Sequence, residues 1–140
     1  MEQVRVIFID SWVWIEYFSE DDRWRDAEAV LEKIPSEGAV ITPTVLMEVH
    51  YRIERKADER RADRVIDTIR RFDELDIVPV TTEVALNAAR LRERHYQRGE
   101  RELSYADAIH LAAALMTGCE VLYSGDSDFE GLDEIRTEIV

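Results

Sequence analysis

A chain of 140 residues with 31 acidic and 18 basic side chains, net charge −13, fits one domain spanning 1–140 and argues against broad electrostatic attraction to nucleic acid. No run approaches the roughly 20 apolar residues of a transmembrane helix, and Met1-Glu2-Gln3-Val4-Arg5 lacks the basic region of a secretory signal. The lone cysteine, Cys119, excludes an internal disulfide or a multi-cysteine zinc site, so a protein of the cytoplasm with no membrane attachment is expected.

Val4 to Ile9 is a nearly continuous β-branched and aromatic run, which predicts a strand buried on both faces and ending at Asp10. Ser11 is expected to cap a short helix through Phe18, ahead of the polar loop Ser19-Glu20-Asp21-Asp22. A second helix is expected from about Arg23 to Lys33, with Ala27, Val30, Leu31 and Ile34 inward, then a turn over Pro35 to Gly38 and a strand over Ala39 to Thr42. Thr42 reads as an N-cap and Pro43 as a first-turn proline, opening a helix that carries Val45, Leu46, Glu48, Val49 and Ile53. Ala57 to Leu75 predicts a charged amphipathic helix with Val65, Ile66, Ile69 and Phe72 inward, and Ile77 to Val80 a third strand. Thr82 to about Gln97 is a further helix ended by Gly99. Ser104-Tyr105-Ala106-Asp107 has the capping-box spacing, and its helix continues to Met116. Val121 to Tyr123 is a fourth strand, and Glu138 to Val140 a candidate edge strand. Strands alternating with helices imply an α/β sandwich around a mostly parallel sheet.

Most of the acids fall on polar helix faces or in loops, where solvation accounts for them. Asp10 and Asp126, however, each follow a predicted buried strand, and sites in parallel sheets gather beyond the carboxyl ends of strands. Asp107 lies in the first turn of a helix aimed at the same edge, and Glu48 on a helix beginning just past the second strand. Four carboxylates in one crevice repel one another; a hard cation such as Mg²⁺ or Mn²⁺, which takes oxygen ligands, relieves that repulsion and supports phosphodiester chemistry. Taken singly, each acid has a structural alternative. Asp10 could cap the next helix, Glu48 could pair with Arg52 one turn on, Asp107 could serve only its capping box, and Asp126 and Asp128 could belong to an ordinary turn. Only their joint placement points to a site.

The strand ending in Asp10-Ser11, the helical Glu48, Leu103-Ser104-Tyr105-Ala106-Asp107-Ala108 and Tyr123-Ser124-Gly125-Asp126-Ser127-Asp128-Phe129 together resemble the PIN-domain family, in particular the VapC-type toxins of toxin–antitoxin pairs. The resemblance covers essentially the whole chain. It implies a three-layer α/β/α sandwich and an Mg²⁺- or Mn²⁺-dependent endoribonuclease acting on structured RNA such as tRNA or rRNA. It also implies a homodimer and a VapB-type antitoxin that blocks the acidic pocket. Carried over by motif position, Asp10, Glu48, Asp107 and Asp126 are the catalytic quartet. Asp10, Asp107 and Asp126 would hold the metal, and Ser11, Ser124 and Asp128 would support them.

Sixteen of the 18 basic residues are arginine. A salt-rich cytoplasm, where surplus negative charge is screened over about 3 Å at molar salt, and an arginine-biased genome account for this equally. A local patch among Arg52, Arg55, Arg60 and Arg61 would be needed to guide RNA. Trp12 and Trp14 are two apart on a short helix and cannot both enter one core, so one of them, tested as Trp14→Asp, is expected to line a groove for a partner helix. His110, one turn beyond Asp107, reads as a core or inter-helix residue, with support of the acids as the alternative. Two other enzyme classes fit poorly: a phosphoacceptor domain needs a late lysine and none follows Lys56, and a haloacid-dehalogenase-type phosphatase needs an acid where Trp12 stands. The remaining alternative is an inactive binding module whose acidic crevice grips a partner's basic residues.

Overall fold

Ile7, Phe8 and Ile9 are all buried, as are Ala39, Val40 and Ile41, so the two strands they form are covered on both faces, as parallel strands require. The computed structural model describes residues 6–140; Val4 and Arg5 of the expected first strand lie outside them. The order is β1 (Ile7–Ile9), α1 (Ser11–Ser19), α2 (Trp24–Leu31), α3 (Ile34–Glu37), β2 (Ala39–Ile41), α4 (Pro43–Lys56), α5 (Glu59–Arg70) and β3 (Leu75–Ile77). It continues with α6 (Thr82–His95), α7 (Tyr105–Met116), β4 (Val121–Ser124), a 3-10 turn over Ser127–Phe129, and β5 (Arg136–Ile139).

The five strands form one sheet in the order β3-β2-β1-β4-β5, and every pairing is parallel. α7 packs on β1 and β2 with α6 along it, while α1 lies against β4 with α2 and α4 beside it. The result is a three-layer α/β/α sandwich. From the central β1 the chain first builds outward through β2 and β3, then crosses to β4 and β5 on the other side. The loops leaving β1 and β4 therefore diverge and open a crevice between them. Ile9 is in register with Tyr123, and the Asp10 N–H donates to the Tyr123 carbonyl at 3.0 Å, which sets Asp10 level with Ser124 at that crevice.

Local sequence accounts for most element ends. The Val45 N–H donates to Thr42 Oγ1 at 3.3 Å, so Thr42 caps α4 as expected. Ser104 and Asp107 form the full capping box that opens α7. Four expectations are corrected. Asp58 accepts from the Arg61 N–H at 2.7 Å, so α5 starts at Glu59 rather than Ala57 and ends at Arg70, freeing Leu75 for β3. β3 ends at Ile77 rather than running to Val80, because Pro79 has no N–H to continue a ladder. Ile34–Glu37 is a short helix rather than a turn, with proline in its first turn. β5 starts at Arg136 and pairs along the whole of β4.

Candidate active site

Asp10, rather than the expected Ser11, occupies the N-cap position of α1, with extended backbone angles, yet its side chain makes no capping hydrogen bond. Its carboxylate, 3% exposed, turns instead toward the crevice. Ser124 Oγ donates to Asp10 Oδ2 at 2.7 Å and itself accepts from the Asp126 N–H at 3.0 Å. One hydroxyl at the end of β4 thus ties both strand-end acids together. Asp126 Oδ1 accepts from the Asp128 N–H at 2.9 Å. Asp128 is directed elsewhere, its Oδ1 accepting from the Glu102 N–H at 3.2 Å.

On the other wall, Glu48 is not paired with Arg52. Ser11 Oγ donates to Glu48 Oε1 at 3.1 Å and lies 3.5 Å from Asp10 Oδ1. His110, fully buried, places Nδ1 2.8 Å from Asp10 Oδ1 and Nε2 3.1 Å from Glu48 Oε1. Neither N–H direction lies along its contact line, so these are ion-pair contacts rather than aligned hydrogen bonds. The ring rests against Phe8 of β1 at 5.7 Å between centroids. The same two carboxylate oxygens are therefore bridged twice, by the Ser11 hydroxyl and by the His110 imidazole. Asp10, Asp107 and His110 offer ligand atoms within 4.8 Å of one another.

The electrostatics show where negative charge is in excess. Burial pushes the Asp10 carboxyl up, but the His110 and Ser124 contacts and the Ser11 N–H outweigh it and hold the acid below its usual range. Burial would also lower His110, yet Asp10 and Glu48 raise it to about 9. Asp107 rises to about 6, through burial first and the charge of Asp10 second. Asp126 is raised as well, by burial and by the charges of Asp128 and Asp10. One imidazole does not balance these acids. A cluster of oxygen donors with surplus charge fits a hard divalent cation such as Mg²⁺ or Mn²⁺.

The cleft holds ≈ 440 Å³ and brings Asp10, Glu48, Asp107 and Asp126 into one lining, with Ser11 beside them. All four acids singled out in the sequence meet there; Asp126 lies outside the tight Asp10–Asp107–His110 group. His110 is at once the buried inter-helix residue expected and a neighbour of the acids. Its signal is the three-residue step from Asp107, which places both side chains on neighbouring turns of one helix face. Lys56 and Asp21, also in the lining, carried no signal, because only folding brings the end of α4 to the loop after α1. The two tryptophans resolve against the expected test: Trp14 is fully buried and packs edge-on to Phe72 at 5.4 Å between centroids, so it presents nothing to a partner. Trp12 is the one lining the cleft. Its ring lies so close over Gly125 that a Cβ there would fall 2.0 Å from it, so only glycine fits.

The family model described as PIN domain matches residues 7–135. Among solved structures, VapC20 of Mycobacterium tuberculosis, described as a toxin that cleaves the sarcin-ricin loop, is 27% identical, with a TM-score of 0.76 over 93% of this chain and 98% of that one. VapBC2 of Rickettsia felis bound to a promoter DNA fragment superposes with a TM-score of 0.72 at 13% identity, over 95% and 97% of the two chains. DNA-bound VapBC of Salmonella typhimurium gives 0.70 at 20% identity, over 96% and 97%. The latter two establish likeness of fold. No curated protein sequence matches the chain.

Proposed function

The chain belongs to the PIN-domain family, and from that premise we propose that it is a divalent-metal-dependent endoribonuclease, the toxin of a toxin–antitoxin pair acting in the cytoplasm. The observation that carries the reading is the convergence of Asp10, Glu48, Asp107 and Asp126 on one cleft at the sheet's switch point. Asp10 and Asp126 would hold Mg²⁺ or Mn²⁺, and Asp107 would complete the set or hold a water. Bound there, the cation supplies Lewis acidity toward a phosphodiester and makes water nucleophilic at neutral pH. Glu48, held through Oε1 by Ser11, keeps its other oxygen for the cleft, where it orients or deprotonates the attacking water. Ser124 fixes the Asp10 carboxylate from behind, and Asp128 steadies the Asp126 loop through its N–H. Phosphoryl transfer asks mainly for such positioning and charge neutralisation.

The substrate in this reading is a structured RNA, tRNA or rRNA; the sarcin-ricin loop that gives the Mycobacterium toxin its description is an rRNA element and the first one to try. A VapB-type antitoxin is the proposed partner, supported by the VapBC complexes with the same fold, and a homodimer the proposed assembly. Among the described residues no helix is long and apolar enough to cross a membrane.

Purified protein should cleave ribosomal RNA only with Mg²⁺ or Mn²⁺. Asp10→Asn and Asp107→Asn should each reduce cleavage to background while leaving the circular dichroism spectrum unchanged. Full activity in both variants would end the proposal.

A further inference from the structure

α4 carries acid and base in single file. Glu48, Arg52 and Lys56 recur every fourth residue and all three line the cleft. On a helix that spacing puts them on one face, about 6 Å apart along the axis. The series begins at the acids and runs outward to the mouth. The two cations differ in their surroundings. Lys56 Nζ lies 2.6 Å from Asp21 Oδ2, across the mouth from the loop after α1. Arg52 is exposed and, among the described residues, has no carboxylate partner, although six acids share the lining: Asp10, Glu16, Asp21, Glu48, Asp107 and Asp126. Tyr51, 61% exposed, stands next to Arg52 at the same mouth.

We propose that Arg52 and Lys56 form a phosphate track on which the RNA backbone leaves the acidic cleft, with Arg52 the open contact and Lys56 restrained by Asp21. This rests on the ribonuclease reading and adds to it how a protein of net charge −13 holds a polyanion. Successive phosphates of an extended strand are spaced comparably to the steps of this file, so a phosphate at the acids sets its neighbours over the cations. The unpaired guanidinium offers a fork suited to phosphate oxygens. The aromatic ring of Tyr51 provides a face for an unstacked base beside it. Asp21 competes with phosphate for Lys56, so its charge limits binding.

The test uses a fluorescein-labelled RNA hairpin and the Asp107→Asn protein, which spares the RNA, with anisotropy recorded in Mg²⁺ across a KCl series. Each single-strand phosphate contact contributes about 0.7 to the slope of log affinity against log salt. Arg52→Gln should weaken binding several-fold and flatten the slope by about that amount. Lys56→Gln should do less. Asp21→Asn should strengthen binding and steepen the slope. These side chains are exposed or half-exposed, so the variants keep the fold. An unchanged slope in Arg52→Gln, or weaker binding in Asp21→Asn, overturns the track. Because binding is read without cleavage, a protein that binds through Arg52 but never cuts RNA would end the nuclease reading and leave the track standing.

Discussion

Of the three histidines, all beside carboxylates, the two most buried, His95 and His110, sit under opposite balances of charge. At the joint between α6 and the approach to β5, His95 Nε2 lies 2.6 Å from Glu134 Oε2, and Arg94 Nη1 reaches the same oxygen at 3.0 Å. One acid there is served by two basic side chains. Burial alone would raise Glu134, but the His95 contact, a backbone N–H and Arg94 together lower it. At the crevice one imidazole serves Asp10 and Glu48, with Asp107 and Asp126 close by, and both of the latter acids are pushed up. In the first cluster the basic side chains outnumber the acid, and it lies outside the cleft lining. The second is short of positive charge and is open to solvent on one side. A histidine beside a carboxylate therefore says little by itself; the number of acids per cation and the access to them separate a fastening from a site.

The largest effect that would break this contrast comes from His110→Leu. It removes the one cation between two carboxylates, one of them fully buried, and such a loss typically costs about 3–5 kcal/mol. Urea unfolding in EDTA should show this, and adding Asp10→Asn to His110→Leu should recover part of the loss, since the repelling charge is gone. Equal stability of His110→Leu and the parent would show that the imidazole does not balance the acids.

A smaller change of opposite sign is expected at Asp107. Its folded pKa of about 6 lies above the ordinary 3.8, so the ionised acid opposes folding. That penalty is absent in acid and grows as pH rises through the interval up to about 6, reaching at most about 3 kcal/mol. Asp107→Asn, which keeps an oxygen for the Ser104 N–H, should therefore unfold at a higher temperature than the parent at pH 7 without divalent ions. The gain should vanish below pH 4 and shrink when Mn²⁺ is added to the parent. A site residue whose removal stabilises the empty protein is what a charge-deficient cluster predicts; destabilisation at pH 7 would contradict it.

The fold was legible where sequence and environment agree over several residues. The apolar run at Ile7–Ile9, the capping box at Ser104 and the threonine cap at Thr42 each act locally, and each led to the right element. The edge of the sheet was less legible: β3 contains Asp76 and is largely exposed, so no apolar pattern marked its start, and the strand was expected from its last residue, Ile77, onward to Val80. For the site, strand-end position marked Asp10 and Asp126, and position early on helices marked Asp107 and Glu48, each ambiguous until taken together. What escaped depends on chain crossings. The Lys56–Asp21 pair is 35 residues apart in sequence, and the double bridge from Ser11 and His110 to the same two oxygens follows from β1, α4 and α7 meeting at one point. Periodicity along a single segment carries no information about that meeting.

Glu134 supplies the smallest effect and the sharpest control. Its pKa is lowered in the folded state from the ordinary 4.5, so its contribution to stability is full above that value and disappears as pH falls through the folded one. Glu134→Gln should cost about 1 kcal/mol at neutral pH, roughly the difference between a charge-assisted and a neutral hydrogen bond, since the amide keeps an acceptor oxygen. The difference from the parent should close in acid, the reverse of the trend at Asp107. RNA cleavage, measured at a temperature where both proteins are folded, should not change, because Arg94, His95 and Glu134 lie outside the cleft lining. If Glu134→Gln instead abolished cleavage in a folded protein, the distinction between a balanced and an unbalanced acid cluster would fail at the place where it is most easily tested.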